Sequence, residues 1–551
     1  MTDCKKIADL IFNDVDKSTE YYEELYPARD LPEGARVTRF APSPTGYLHF
    51  GGLYAGFASK LTADTTNGVF MLRIEDMDKK SEVEDGVTGI VTGLRAFGVA
   101  PDEGVTGFNT EYGNYGPYTQ SHRREIYRAF AKKLMEEGKA YPCFCTPEDL
   151  DEIRAKQENE DIKGYYGPYA KCRDLSDEEI IEKINAGIPF TVRLRSTGDI
   201  SRKIKFEDMI KGKIEMSENV NDVVVLKADG IPTYHFAHAV DDHLMRTTHV
   251  VRGDEWIASV PVHIELFRAL GNKPLKYAHI APIMKEENGG KRKLSKRKDP
   301  EANVSYYIEK GYPEASVKEY MLTILNSNFE EWRRANKNED IAKFPFNLKK
   351  MSVSGALFDM VKFNDVSKNV ISVMTAKQVY KLVTDWAMDY NEVLYALFVD
   401  DKEKAIAILN IDRENPKPRK DIACWEEVEN YVSFFYNELY DADSTLPEHI
   451  NKDDAIEILA KYKEVYSAND SKEEWFNKIK ELCTACGYTP NVKEYKQNPE
   501  AFKGHVGDVS TVIRIATTSR TNTPDLYYIM QILGVDEVMN RIDNTINSYK
   551  A

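Results

Sequence analysis

The sequence is poor in the features that mark several classes of protein. Its 551 residues hold seven cysteines, too few for a disulfide scaffold, so the thiols read as reduced. No apolar run reaches the length of about 18 residues that a membrane span needs. Residues 1 to 17 alternate charged and apolar side chains at helical spacing, without the apolar centre of a secretory signal. These absences predict a cytoplasmic chain with no membrane association. Internal repeats and low-complexity segments are also lacking. Positive charge is not in excess either: the formal net charge is −16. That argues against nonspecific coating of nucleic acid, but not against gripping a folded RNA through local patches. With 42% hydrophobic and 30% charged residues, the chain has a globular composition, and its length asks for three or more domains.

What is present falls into two halves. Residues 1 to 35 read as a helical extension ending in the loop Leu31-Pro32-Glu33-Gly34. A strand over 36–40, a Pro/Gly loop, a helix over 51–64 and a strand over 69–74 make one βαβ unit, hence a parallel pair. Ser81 and Glu84 have capping-box spacing for the next helix. Further strands are expected at 190–195, 223–227 and 249–252. Beyond residue 300 helical periodicity takes over, with helices near 315–325, 376–386 and 453–466. Asn415-Pro416-Lys417-Pro418 is a loop or linker.

Two segments carry chemistry. The loop Ala41-Pro42-Ser43-Pro44-Thr45-Gly46-Tyr47-Leu48-His49-Phe50-Gly51-Gly52 runs from strand into helix. A helix N-terminus offers free N–H groups to phosphate, and glycines allow close approach. It is not a P-loop: Gly52-Leu53 stands where Lys-Ser/Thr is required. Alone, such a turn is more often plain structure. The second segment is the basic run 291–298, which contains Lys293-Leu294-Ser295-Lys296-Arg297; a basic run is usually a solvated face or a nucleic-acid patch.

Together these segments resemble a known family. His49-Phe50-Gly51-Gly52 is similar to the HIGH motif of class I aminoacyl-tRNA synthetases, and Lys293-Leu294-Ser295-Lys296-Arg297 to their KMSKS motif. Arg39-Phe40-Ala41-Pro42-Ser43-Pro44-Thr45-Gly46, Arg73-Ile74-Glu75-Asp76-Met77-Asp78 and Gly116-Pro117-Tyr118-Thr119-Gln120-Ser121 narrow the resemblance to the glutamate and glutamine group. Asp229-Gly230-Ile231-Pro232-Thr233-Tyr234-His235-Phe236-Ala237, Val240-Asp241-Asp242-His243 and Val251-Arg252-Gly253-Asp254-Glu255-Trp256 continue it in the family's order, over residues 36 to 300.

The resemblance implies a multidomain α/β chain: a Rossmann-like parallel-sheet catalytic domain, an inserted α+β domain that binds the tRNA acceptor end, and all-α C-terminal domains. The implied limits are 1–35 for the extension, 36–118 and 234–300 for the catalytic halves, and 119–233 for the insertion. A stem-contact helical domain follows at 301–370 and a helical anticodon-binding region at 371–551. It also implies ATP with Mg2+, L-glutamate and tRNA(Glu) as partners, and a monomer. His49 and Lys296 would serve the charge that builds on the α-phosphate, and Pro42, His49, Gly51, Gly52, Glu255, Lys293, Ser295 and Lys296 would bind ATP. Glutamate would be held by Arg39, Ala41, Ser43, Glu75, Tyr234, His238 and Arg252. The arginines suit carboxylates, Arg39 facing the side-chain one; Glu75 suits the ammonium. His238 stands where bacterial members carry Asn. Taken singly, each arginine could equally be a structural ion pair and Tyr234 a core aromatic.

Cys143-Phe144-Cys145, then Cys172, matches the place where some members bind zinc. Tyr169 or Asp174 is the implied fourth ligand, and reduced structural thiols are the alternative. Cys483 and Cys486 read as packing residues on a helix. Ser352-Val353-Ser354-Gly355-Ala356-Leu357-Phe358-Asp359-Met360-Val361-Lys362, residues 507–517 and Thr523-Pro524-Asp525-Leu526 resemble the bacterial glutamyl enzymes, not relatives with C-terminal β-barrels. An inactive synthetase-like tRNA-binding or regulatory protein is the alternative. It would be expected to lose His49 or Lys296, and both are present.

Overall fold

A computed structural model of the chain describes residues 3–77 and 85–551. The capping box expected at Ser81 and Glu84 lies outside the described residues. The chain divides into two compact units, Met1–Tyr307 with Lys318–Asp359, and Ile308–Val317 with Met360–Ala551.

The first unit is built on short, buried, apolar strands, the pattern of strands covered on both faces. Val37–Phe40 pairs in parallel with Val69–Leu72, Val37 opposite Val69 and Phe40 opposite Leu72. The helix Phe50–Asp64 connects them, so the expected βαβ unit is present. Val69–Leu72 pairs in parallel with Glu103–Gly107, which turns back as Thr110–Tyr112. On the other side, His249–Gly253 runs parallel to Lys276–Ile280. Thr248 N donates to Val37 O at 2.9 Å, and Val37 N to Thr248 Oγ1 at 2.8 Å, which sets this pair beside the first strand. The carboxyl ends of Val37–Phe40 and His249–Gly253 therefore open at the same edge, where ligands of α/β sheets bind.

The segment between the two halves forms an antiparallel sheet, Ala140–Cys143, Thr191–Leu194 and Val224–Leu226; the last two lie close to the expected strands, and the first was not expected. Like Glu103–Gly107 with Thr110–Tyr112, two further hairpins were not foreseen in the sequence. Lys203–Asp208 pairs with Gly212–Ser217, and Met209 N donates to Tyr277 O at 2.9 Å, docking the hairpin tip on the parallel pair. Met284–Glu287 pairs with Gly290–Lys293, turning at Asn288 and Gly289, both at positive φ (52° and 77°), as a two-residue hairpin turn requires. Lys291, Arg292 and Lys293 of the basic run are thus strand rather than loop.

Residues 3 to 35 pack on the first unit. The helices Cys4–Ile11 and Thr19–Leu25 lie against Arg124–Glu136, with Asp9 paired to Lys132 at 3.0 Å. Tyr26 Oη donates to Gly116 O at 2.6 Å, and Arg246 Nε to Tyr26 O at 2.9 Å.

The second unit is helical, as expected: among the described residues no strand follows Lys293, three isolated bridges aside. Ala376–Tyr390 runs longer than the sequence pattern suggested, opening on a Thr375/Gln378 capping box. One core gathers Val379, Val383, Leu394, Phe398 and Ile408, and another Leu459, Tyr462, Ile479, Val512 and Ile542. Cys483 is buried in the latter on the helix Lys472–Ala485, and Cys486 caps that helix.

Candidate active site

A cavity of 540 Å³ opens at the shared strand edge. Of the residues singled out in the sequence, it is lined by Arg39, Ala41, Ser43, His49, Gly51, Gly52, Glu75, Tyr234, Arg252, Glu255 and Lys293. Tyr54 and the segment Ile280-Ala281-Pro282-Ile283 also line it and went unrecognised, having no pattern of their own, as does Trp256, which the motif at 251–256 contains but which was given no role.

One end is a helix N-terminus. Phe50 is fully buried, its ring 5.2 Å from Tyr307 and 5.4 Å from Phe358. Burying such a side chain contributes about 1.5–3 kcal/mol, which seats the first turn of Phe50–Asp64. His49 is the N-cap, its Nδ1 accepting from Gly51 N at 2.8 Å. A neutral ring with Nδ1 so engaged carries its proton on Nε2, the nitrogen that can donate and that lies toward the Leu294 backbone. Burial, followed by the charges of Lys296 and Lys293, lowers the His49 pKa to about 4. A Cβ on Gly51 would come within 3.0 Å of His49 Nδ1.

The KLSKR turn approaches this end from the hairpin. Asp299 holds it, accepting from Ser295 N at 2.9 Å, from Arg292 at 2.6 and 2.7 Å and from Lys285 at 3.0 Å. The Arg292 bonds keep its carboxyl well below the usual carboxylate range. Lys296, exposed, donates through Nζ to the carbonyl of Tyr47 on the phosphate loop. Neither Lys296 nor Ser295 lines the cavity, and Pro42 contributes a carbonyl that accepts from Glu75 N at 3.0 Å.

The other end rests on buried charge. Asp242 accepts from Arg39 Nε at 3.1 Å and Arg73 Nη1 at 2.6 Å; Arg73 also reaches Glu75 at 3.1 Å. Burial works to raise the Asp242 carboxyl, but Arg39 and Arg73 overcome it and hold it well below its ordinary value. Burial raises Glu75, which the same arginines offset only in part. Among the described residues the terminal nitrogens of Arg39 have no protein partner, so they remain for a ligand. Arg252 is more fully engaged: Nη1 donates to Tyr234 Oη at 3.4 Å and Nη2 to Trp256 O at 3.3 Å. Glu255 folds back over Gly253, where a Cβ would lie 2.2 Å from its carboxylate.

His238 does not reach the cavity. It is fully buried behind Tyr234, the rings stacked at 6.0 Å, with Nδ1 2.7 Å from Asp242 and Nε2 3.1 Å from Tyr277 Oη. Its contact with Asp242 is bent rather than a linear hydrogen bond. The position buttresses the carboxylate that holds Arg39 and Arg73, and offers no ligand contact.

Away from the cavity, Cys143, Cys145 and Cys172 bring their sulfurs within 4.8 Å of one another. The oxygen beside them is neither of those expected. Tyr169 bonds Glu160, and Asp174, largely exposed, pairs with Arg195 at 3.3 Å. Tyr165 Oη lies 3.4 Å from Cys143 Sγ and 3.2 Å from Cys145 Sγ, and accepts from Cys172 N at 3.0 Å.

Comparison with known proteins fits this arrangement. A family model described as "tRNA synthetases class I (E and Q), catalytic domain" matches residues 36–365, and one described as "Anticodon binding domain" matches residues 493–546. The "Glutamate--tRNA ligase" of Clostridium perfringens is 50% identical over 543 residues, 98% of this chain and 100% of that protein. The protein of the same name from Acetivibrio thermocellus is 48% identical over 546 residues, 99% of this chain and 100% of that one. Among solved structures, a glutamate tRNA ligase from Elizabethkingia meningosepticum in complex with its amino acid aligns with a TM-score of 0.74 at 28% identity, covering 93% of this chain and 99% of that one.

Proposed function

The chain belongs to the class I tRNA synthetases of the glutamate and glutamine group, and from that premise we propose that it is a glutamate–tRNA ligase working through the cavity just described. The observation that carries the reading is the convergence, at one strand edge, of a guanidinium fixed through Nε alone, a second held on several sides, a buried carboxylate and a helix N-terminus.

In the proposed first step the α-carboxylate oxygen of glutamate attacks the α-phosphorus of ATP. The bond to the β-phosphate oxygen breaks, and pyrophosphate leaves. His49 Nε2–H and the Gly51 backbone donate to the charge that grows on the α-phosphate. Lys296 leaves the Tyr47 carbonyl to join them as the loop closes. Pro42, Gly52, Glu255, Lys293 and Ser295 complete the nucleotide site, where magnesium bound to ATP would screen the phosphate charge. At the other end Arg39 pairs with the side-chain carboxylate and Arg252 with the α-carboxylate. Glu75 faces the substrate ammonium, whose charge favours the carboxylate form against the burial that raises it; Ala41, Ser43 and Tyr234 shape the remainder. In the second step a hydroxyl of the 3′-terminal adenosine of tRNA(Glu) attacks the acyl carbon, and AMP leaves.

The insertion over 119–233 would receive the acceptor end, residues 301–370 the stem and 371–551 the anticodon. We also infer a cytoplasmic monomer; no helix among the described residues is long and apolar enough to cross a membrane. The three thiols and Tyr165 form an S₃O donor set that fits zinc. Zinc there would brace the insertion, not take part in the chemistry. Metal analysis should find about one zinc per chain; none, with full charging activity, removes the site. Aminoacylation of purified tRNAs with each amino acid tests the whole reading. Charging of tRNA with glutamate is expected, and failure with every tRNA would overturn it.

A further inference from the structure

Arg252 is held from behind by two imidazoles. Its Nε donates to His279 Nε2 at 3.1 Å, and its Nη2 lies 3.2 Å from His263 Nδ1. Both ring nitrogens must be lone pairs, because the guanidinium has no acceptor. The tautomers that satisfy this are fixed by the next neighbours. His279 Nδ1 faces Asp208 Oδ2 at 2.6 Å, and His263 Nε2 faces His235 Nδ1 at 2.9 Å. Asp208 is itself pinned, accepting from the backbone of Ile210 at 2.9 Å, Lys211 at 2.8 Å and His279 at 3.1 Å. His263 and His279 are fully buried, and Asp208 is 1% exposed.

Asp208 is the last residue of Lys203–Asp208, the hairpin strand that belongs to the insertion, whereas His279 lies on Lys276–Ile280 next to the strand of Arg252. A carboxylate contributed by the insertion therefore decides which nitrogen of His279 carries the proton, and so whether that ring accepts from Arg252 or opposes it. We propose that His279 is a positioning residue for Arg252, with its tautomer set by Asp208, so that the hairpin must be seated for the amino-acid end of the site to hold its arginine. This inference rests on the reading of Arg252 as a carboxylate ligand of glutamate.

Two substitutions of similar polarity separate positioning from packing. Asn at 279 places its amide near the Nδ1 position, so it keeps the Asp208 contact and loses the acceptor for Arg252. Gln places its oxygen near the Nε2 position and keeps that acceptor. Steady-state aminoacylation with the full chain and tRNA present should show His279→Asn raising KM for glutamate at least about tenfold, the loss expected when a charged donor forfeits its acceptor. KM for ATP should stay within about twofold, and His279→Gln should restore glutamate KM to near wild type. Nitrogen-15 NMR of the ring, assigned by the signal lost in the Gln variant, should find Nδ1 protonated in wild type. In Asp208→Asn the proton should move to Nε2 together with a raised glutamate KM. Equal effects of Asn and Gln, or no change in either, would overturn the proposal. Arg252→Lys tells its failure from that of the underlying reading: an unchanged glutamate KM there removes Arg252 as a ligand, and the proposal with it.

Discussion

The two ends of the cavity are held in opposite ways. At the amino-acid end Arg39, Arg73, Glu75 and Asp242 are all buried, each charge facing its opposite at 2.6–3.1 Å. At the nucleotide end Lys296 is exposed, and the partners of Asp299 are partly so. The first end is preorganised for a small ligand whose charges are fixed. The second is a turn resting on a carbonyl, free to exchange that contact for phosphate. A two-step reaction makes sense of the difference: the amino acid stays until transfer, whereas pyrophosphate must leave after the first step.

The largest expected effect comes from breaking the buried end. Asp242→Ala takes from buried Arg39 its ion pair among the described residues, while Arg73 keeps Glu75, and should cost about 3–5 kcal/mol of stability. Asp299→Ala leaves partners that water can reach, and should cost no more than about 1–2 kcal/mol. Urea unfolding, followed by hydrogen exchange in Val37–Phe40 and Lys276–Ile280, measures both. Equal losses would erase the contrast between preformed and adaptable ends.

Next in size are the kinetic effects, which should divide along the same line. His49→Ala and Lys296→Ala should each slow adenylate formation about 10²-fold or more, with little change in glutamate KM. Arg39→Ala should do the reverse, weakening glutamate use and narrowing the preference over glutamine, because the paired charge on the protein is gone. Single-turnover activation and kcat/KM for both amino acids decide. A mutant at Arg39 that keeps the wild-type ratio passes the selector role to Arg252.

How far the sequence anticipated this contrast follows from range. The phosphate loop and the KLSKR turn are contiguous, so their residue types and glycines were legible, as was the split between an α/β and a helical half. Depth was not. Tyr234 and His238 share a helix face four residues apart, yet one lines the cavity and the other lies a layer behind. Likewise spacing alone could not choose among Tyr165, Tyr169 and Asp174. Asp208 and His279, 71 residues apart in sequence, meet only because an alternating, half-polar ribbon docks on a parallel pair. That ribbon offers too few apolar positions to stand out as a strand.

A smaller effect concerns salt. Buried pairs are screened little, exposed ones strongly. KM for glutamate should thus be nearly flat between low and moderate salt. Affinity for tRNA, which relies on patches such as the run 291–298 in a chain of net charge −16, should fall steeply as phosphate contacts release counterions. A flat tRNA response would contradict this.

The smallest effect tests whether the two nucleotide motifs sense each other before ATP arrives. His49 is held near pKa 4 first by burial and then by Lys296 and Lys293. The unfolded ring titrates near its ordinary value of about 6.5, so between those pH values the unfolded chain binds the proton and the folded chain does not. Stability from this group is therefore full above about 6.5 and falls as pH drops toward 4. Removing one lysine removes one repulsive charge but leaves the burial. In Lys296→Ala the His49 pKa should rise by less than about one unit and stay well short of 6.5. NMR titration of the His49 ring in wild type and mutant, without nucleotide, measures it. A return to 6.5 would make Lys296, not burial, the dominant influence, and the loop would then be closed over His49 even in the empty enzyme. No shift at all would mean that the lysine's rest on Tyr47 keeps it from acting on His49 until phosphate draws the two together.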